Sequence, residues 1–189
     1  MIIGLTGKNA SGKGEFANYL KTKGFVYFSL SDVVREEATK LGLEHSRDNL
    51  IKLGNELRQN HGSNYLAQKI NNKIKEQLKN NNKNFAIDSI RSPYEAKELM
   101  KNENFTLVGI EAPIKLRFER LRRRNRIGDA KTLEEFKRQE ERENLNNAAN
   151  QQLDETFKLA EKIIVNDRTF EELHKKIDSL LDQIQKQWS

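Results

Sequence analysis

A glycine-rich run close to the start, Gly4-Leu5-Thr6-Gly7-Lys8-Asn9-Ala10-Ser11-Gly12-Lys13-Gly14, constrains this chain more than any other feature. It follows the apolar Met1-Ile2-Ile3 and opens into the helix-compatible Glu15-Phe16-Ala17-Asn18-Tyr19-Leu20. Strand, glycine-rich loop and helix in that order form a phosphate cradle. Gly7 and Gly12 allow backbone geometry that side chains would obstruct, so successive N–H groups can converge on phosphate oxygens. The helix N-terminus adds partial positive charge, and Lys13 reaches the β and γ phosphates. Gly7, Lys8, Asn9, Ala10, Ser11, Gly12, Lys13, Gly14 and Glu15 are therefore expected to line a nucleotide site.

One position departs from the usual pattern. The motif normally continues with Ser or Thr, whose hydroxyl ligates Mg²⁺, whereas Gly14 and Glu15 follow here. Two readings stay open. Either waters held by a carboxylate elsewhere carry the Mg²⁺, or the loop binds phosphate without efficient catalysis.

At 189 residues the chain suits a single domain, 1–189, with no linker long enough to divide it. It has no cysteine, which excludes disulfides, thiol chemistry and Cys-based zinc sites. No apolar run approaches the ~20 residues of a membrane span, and the N-terminus reads as a core strand. A cytoplasmic protein is expected. Arg117, Arg120, Arg122, Arg123, Arg124 and Arg126 crowd one short stretch, offset by Glu119, within a net charge of +6. Such a cluster serves a nucleic acid, a polyphosphate or only a solvated helix face. The phosphate loop in the same domain favours polyphosphate. The missing aromatic stacking platforms argue against nucleic acid.

Strand-like segments at 2–5, 25–28, 85–87, 106–110 and 162–165 alternate with amphipathic helical patterns, the signature of a parallel α/β sheet. Ser31, Ser46, Ser63 and Thr132 read as helix caps, Gly42 as a helix end and Pro93 as a first helical residue. Residues 31–80 form a helical insertion expected to make a flap beside the loop, and 120–135 a lid region hinged at Gly128-Asp129. Phe170, Leu173, Ile177, Leu180, Leu181 and Ile184 make the apolar stripe of a final helix. His45, His61 and His174 lack metal-ligand spacing and read as surface or packing residues.

Two further segments carry acid–arginine pairs. In Ser29-Leu30-Ser31-Asp32-Val33-Val34-Arg35, Asp32 and Arg35 lie one helical turn apart. In Asp88-Ser89-Ile90-Arg91-Ser92-Pro93, Asp88 ends a strand, where a ligand for metal-bound water belongs. The first segment resembles the S-T-G-D-x-L-R segment of adenylate kinases. The second is similar to their D-G-x-P-R segment, with one residue fewer before the arginine. Adenylate kinases also carry Gly after the loop lysine, but Thr where this chain has Glu15.

With Arg117-Phe118-Glu119-Arg120-Leu121 and Ile164-Val165-Asn166-Asp167, these segments make the chain resemble the nucleoside monophosphate kinase group of P-loop proteins over nearly its whole length. The nearest likeness is to small adenylate-kinase-like or dephospho-CoA-kinase-like proteins. Relatives of that type sit beside, or fused to, deoxycytidylate deaminase domains, which implies a functional link to such an enzyme. The resemblance implies a three-layer P-loop fold with a five-stranded parallel sheet in order 2-3-1-4-5, an acceptor flap and an arginine-bearing lid. It implies ATP and Mg²⁺ as donor and cofactor and a small nucleotide as substrate. Arg35 and Arg91 would clamp the acceptor phosphate, and Asp32 and Asp88 would hold Mg²⁺ through water. Arg120, Arg124 and Arg126 would close from the lid, while Asn166 and Asp167 would lie near the donor base. Leu30 replaces a Thr that positions the acceptor in adenylate kinases, so adenosine monophosphate does not follow as substrate. A dephospho-CoA kinase, with Asp32 as general base, and a regulatory nucleotide-binding module are the alternatives.

Overall fold

The computed structural model describes residues 1–125, 128–143 and 152–187. Five apolar segments, β1 (Ile2–Thr6), β2 (Val26–Ser29), β3 (Phe85–Asp88), β4 (Phe105–Glu111) and β5 (Lys162–Val165), pair in parallel in the order β2-β3-β1-β4-β5. Parallel strands need crossovers, and helices supply them. These are α1 (Lys13–Thr22), α2 (Leu30–Lys40), α3 (Arg47–His61), α4 (Tyr65–Lys79), α5 (Pro93–Leu99), α6 (Ile114–Arg124), α7 (Leu133–Glu143), α8 (Leu153–Lys158) and α9 (Phe170–Gln187).

Alternation along the strands sends side chains into two layers. Ile3, Leu5, Ala86, Val108 and Ile110 join Phe16 and Leu20 of α1 and Leu173, Ile177 and Ile184 of α9. Ile2, Phe85, Ile87, Phe105 and Leu107 join Leu30, Val33, Val34, Leu53, Leu66, Ile70 and Ile74 of α2, α3 and α4. Helices from 31–80 thus share one apolar cluster with the sheet. Each Val, Leu, Ile or Phe among them, when fully buried, contributes about 1.5–3 kcal/mol. A smaller cluster, Leu121, Ala130 and Phe136, fixes α7 against α6.

Several helix ends differ from expectation. Ser29, not Ser31, caps α2, because the chain turns helical directly after β2 and Ser29 Oγ accepts from Ser31 N–H. Asn64, not Ser63, precedes α4, with no side-chain cap. Phe170 is exposed; the stripe of α9 begins one turn later, at Leu173. Ser46 and Thr132 accept from the third residue beyond them, as caps do. Gly42 follows α2 at φ 66°. Ser92 and Glu95 form a reciprocal capping box that brackets Pro93.

Candidate functional site

The loop between β1 and α1 is shaped by contacts at two glycines. A Cβ on Gly7 (φ +143°) would lie 2.1 Å from the Ile110 carbonyl, and one on Gly12 (φ +110°) 2.0 Å from Asn166 Nδ2. Neither position admits a side chain. Gly14 differs, since a Cβ there meets nothing within 4 Å. Asn166, buried after β5, donates through Nδ2 to Ser11 O at 2.9 Å and accepts from Arg120 Nη2 at 3.3 Å. Arg120 Nη2 also donates to Asn166 O at 3.0 Å. Burial lowers the Arg120 pKa.

These features suit an anion. Gly12 gives α1 no side-chain cap, so the first N–H groups of α1 face the loop without a capping acceptor. Asn9 Nδ2 is a buried donor that finds no partner among the described residues. Lys13 Nζ bends back to the Gly7 and Lys8 carbonyls, at 2.6 and 2.9 Å. Burial pushes its pKa down to about 8, against the raising influence of Asp88; the charges of Arg91, Arg117 and Arg124 lower it further. Those five side chains therefore share one electrostatic neighbourhood.

Asp88 ends β3 beside β1 and is 9% exposed. Its Oδ1 accepts from Ser89 N–H at 2.5 Å and its Oδ2 from Tyr27 Oη at 3.4 Å. Burial, with the Asp88 charge next, pushes the Tyr27 phenol up to about 12. Ser89 adopts φ 64°, a left-handed conformation uncommon outside glycine. Thr6 Oγ1 anchors this turn by donating to Ile90 O at 2.9 Å. Arg91 follows, and its N–H donates to Glu95 Oε2.

Other expected residues have side-chain partners of their own. Asp32 Oδ1 accepts from Arg35 Nη1 at 2.5 Å; the two side chains, 49% and 45% exposed, form a pair of their own. Asp167 pairs with Lys176 at 3.5 Å and is exposed, unlike Asn166 beside it. Glu15 Oε1 lies 2.8 Å from His174 Nε2, whose ring stacks on Tyr19. Arg124 forks onto Asp129, at 2.9 and 2.7 Å. Arg126 lies outside the described residues.

Arg117 is a functional candidate that the sequence did not single out from its neighbours. Nearly buried, it donates to Asn9 O and Ala112 O and pairs with Glu140 of α7, joining the loop, the residue after β4 and α7. Nothing in the arginine run distinguishes it. Arg58 is another: it is buried against Glu95, 37 positions away. Only the S-x-x-E spacing at Ser92 hinted at Glu95. A cavity of about 310 Å³ opens beside the loop, lined by residues that include Gly7, Lys8, Ala112, Arg117, Asp154 and Phe157. Lys8 reaches across it to Asp154 at 3.1 Å. Among the described residues, no group of three or more His, Asp or Glu side chains is placed to hold a metal. Asp88 is the buried carboxylate whose charge acts on the loop lysine.

Residues 3–146 match the family described as an AAA domain. The chain is 35% identical over 187 residues to a UPF0200 protein of Pyrococcus abyssi, covering 97% of each. It is similar to the solved structure of dephospho-CoA kinase from Campylobacter jejuni, with TM-score 0.58 and 16% identity over 100% of this chain and 98% of that one. Shikimate kinase from Aquifex aeolicus is similar at TM-score 0.55 and 18% identity, over 97% of each. At such identities the likeness concerns the fold, which is that of small P-loop kinases.

Proposed function

Because the chain belongs to the UPF0200 family and carries its AAA-type P-loop domain, we propose that it is a phosphotransferase acting on a nucleoside or deoxynucleoside monophosphate, with ATP as donor. One observation carries this reading. Lys13 of the phosphate loop shares its neighbourhood with Asp88 and Arg91, which leave the adjacent strand β3. A donor cradle beside an acid and an arginine is an arrangement for moving a phosphoryl group between two bound anions.

In this reading Gly7 to Gly14 hold the donor phosphates through backbone N–H groups. Lys13 leaves its two carbonyls and turns to the transferring phosphate. Arg91 binds the acceptor phosphate from β3, and Arg35, released from Asp32, binds it from α2. One acceptor oxygen attacks the γ-phosphorus in line as the bond to the β-bridging oxygen breaks, leaving ADP. That oxygen is already anionic, so no protein base is needed. The chain contributes position and charge neutralisation. Mg²⁺, when bound, would neutralise the donor phosphates, with Asp88 orienting its water. Arg120 braces Asn166 and the loop, and Arg124 reaches the phosphates from α6.

The test is ADP release from ATP and Mg²⁺ with a panel of nucleoside and deoxynucleoside monophosphates and dephospho-CoA. Turnover with at least one monophosphate is expected. Turnover with dephospho-CoA alone would replace the reading with its nearest rival, and tight ATP binding without any turnover would leave a regulatory module.

A further inference from the structure

Arg47 opens α3 directly after its cap Ser46, some eighty positions from Asp129 in the chain. In space Arg47 Nη1 lies 3.9 Å from Asp129 Oδ1, the oxygen that also takes Arg124 Nη2 at 2.7 Å. Asp129 Oδ2 accepts from Arg124 Nε at 2.9 Å. The Asp129 side chain is 8% exposed, and each arginine 27%. Gly128 approaches the same arginine, since a Cβ built on it would lie 3.8 Å from Arg47 Cβ. Two guanidinium groups, from α3 and α6, thus converge on one nearly buried carboxylate.

We propose that Arg47 and Arg124 form a phosphate subsite that Asp129 fills from within the chain, and that a phosphoryl group of the bound nucleotide takes the carboxylate's place. The fork that grips a carboxylate through two parallel N–H bonds grips a phosphate equally well. The location fits, because the charge of Arg124 is felt at Lys13 together with those of Arg91 and Arg117. Arg47 then becomes an acceptor-side contact contributed by α3. Asp129 is a tethered competitor, present at high effective concentration. It lowers the apparent affinity for phosphate by the fraction of time the fork stands open.

This inference takes the identity of the anion from the phosphotransfer reading, but its test uses binding and not turnover. Inorganic pyrophosphate is titrated calorimetrically into the wild type, Asp129→Asn and the Asp129→Asn/Arg47→Ala double variant. Binding at the loop is common to all three, so differences report the fork. Asp129→Asn should bind on the order of tenfold tighter, as expected for a fork closed about nine-tenths of the time. The double variant should lose that gain. A folded Asp129→Asn protein that binds no tighter, or more weakly, overturns the proposal and leaves Asp129 a structural brace. Should Asp129→Asn fail to fold, arginine Nε–H NMR signals of the wild type decide. Pyrophosphate must shift both Arg47 and Arg124, and an unmoved Arg47 signal overturns the subsite. Absence of kinase activity toward every acceptor would leave either result standing.

Discussion

Arg58 and Glu95 form a buried fork beside the turn that carries Arg91. Arg58 donates through Nε and Nη2 to Glu95 Oε1, at 2.9 and 2.8 Å, with the side chains 5% and 0% exposed. The other Glu95 oxygen accepts the N–H groups of Arg91 and Ser92, at 3.0 and 3.1 Å. One carboxylate therefore ties α3 to the turn that presents Arg91. Glu95→Ala should destabilise the protein by about 3–5 kcal/mol, because it strands a buried guanidinium. An Arg58→Met/Glu95→Leu double variant should recover only part of this, since two N–H groups still lack an acceptor. Denaturant unfolding measures both; a loss under 1 kcal/mol for Glu95→Ala would count against the pair.

Lys13 should make stability and ligand affinity respond to pH in opposite directions. Its pKa is about 8 in the fold against 10.5 when unconstrained. Between those values the unfolded chain holds the extra proton, so on this group's account unliganded stability rises with pH across that window. Neutral Lys13 offers phosphate no charge, so ATP affinity should fall above about pH 8. Lys13→Ala should abolish both trends and cut phosphoryl transfer by on the order of 10²-fold or more. Thermal melts and ATP titrations at several pH values provide the check. Unchanged turnover in the folded variant would remove the loop from the reaction.

Arg35→Ala and Arg91→Ala should raise the Michaelis constant for the monophosphate well above any change for ATP. In the proposed reaction each would supply a charge-assisted phosphate contact, which lysine does not reproduce. Loss of ATP affinity with acceptor affinity preserved would put the acceptor elsewhere.

Gly12→Ala should damage the cradle directly. The new methyl group meets Asn166 Nδ2 at 2.0 Å, and φ +110° strains any L side chain. Strain of about 1–3 kcal/mol corresponds to a loss of ATP affinity on the order of tenfold. Adding Asn166→Gly relieves the clash but not the backbone strain, so recovery should be partial. Gly14→Ala, by contrast, meets open space and should bind ATP almost normally. Equal losses at Gly12 and Gly14 would show that crowding is not the cause.

Much of the fold was legible because its signals are local. Strand segments at 85–87 and 106–110 lie within Phe85–Asp88 and Phe105–Glu111, since continuous apolar runs between helices are what a buried parallel strand requires. The P-loop was equally readable, because its glycines answer to backbone geometry within a few residues. Helix caps were less so. Ser29 and Ser31 have the same chemistry, and only the point where β2 ends selects between them. Phe170 has the right period for α9 but sits one turn before the sheet begins to cover it.

The sequence by itself determined that a phosphate loop follows the first strand, that five strands alternate with helices, and that acids and arginines follow the second and third strands. Periodicity and short motifs carry such information because the interactions behind them span a turn or less. Only the tertiary structure decided which charges meet. Arg58 is buried against Glu95, Arg117 ties the loop to Glu140, and Arg47 of α3 reaches Asp129. A guanidinium reads the same at every position of an arginine-rich run. Its partner is set by the packing of distant helices, which exclude water from some pairs and leave others in solvent, and that difference decides which charges matter.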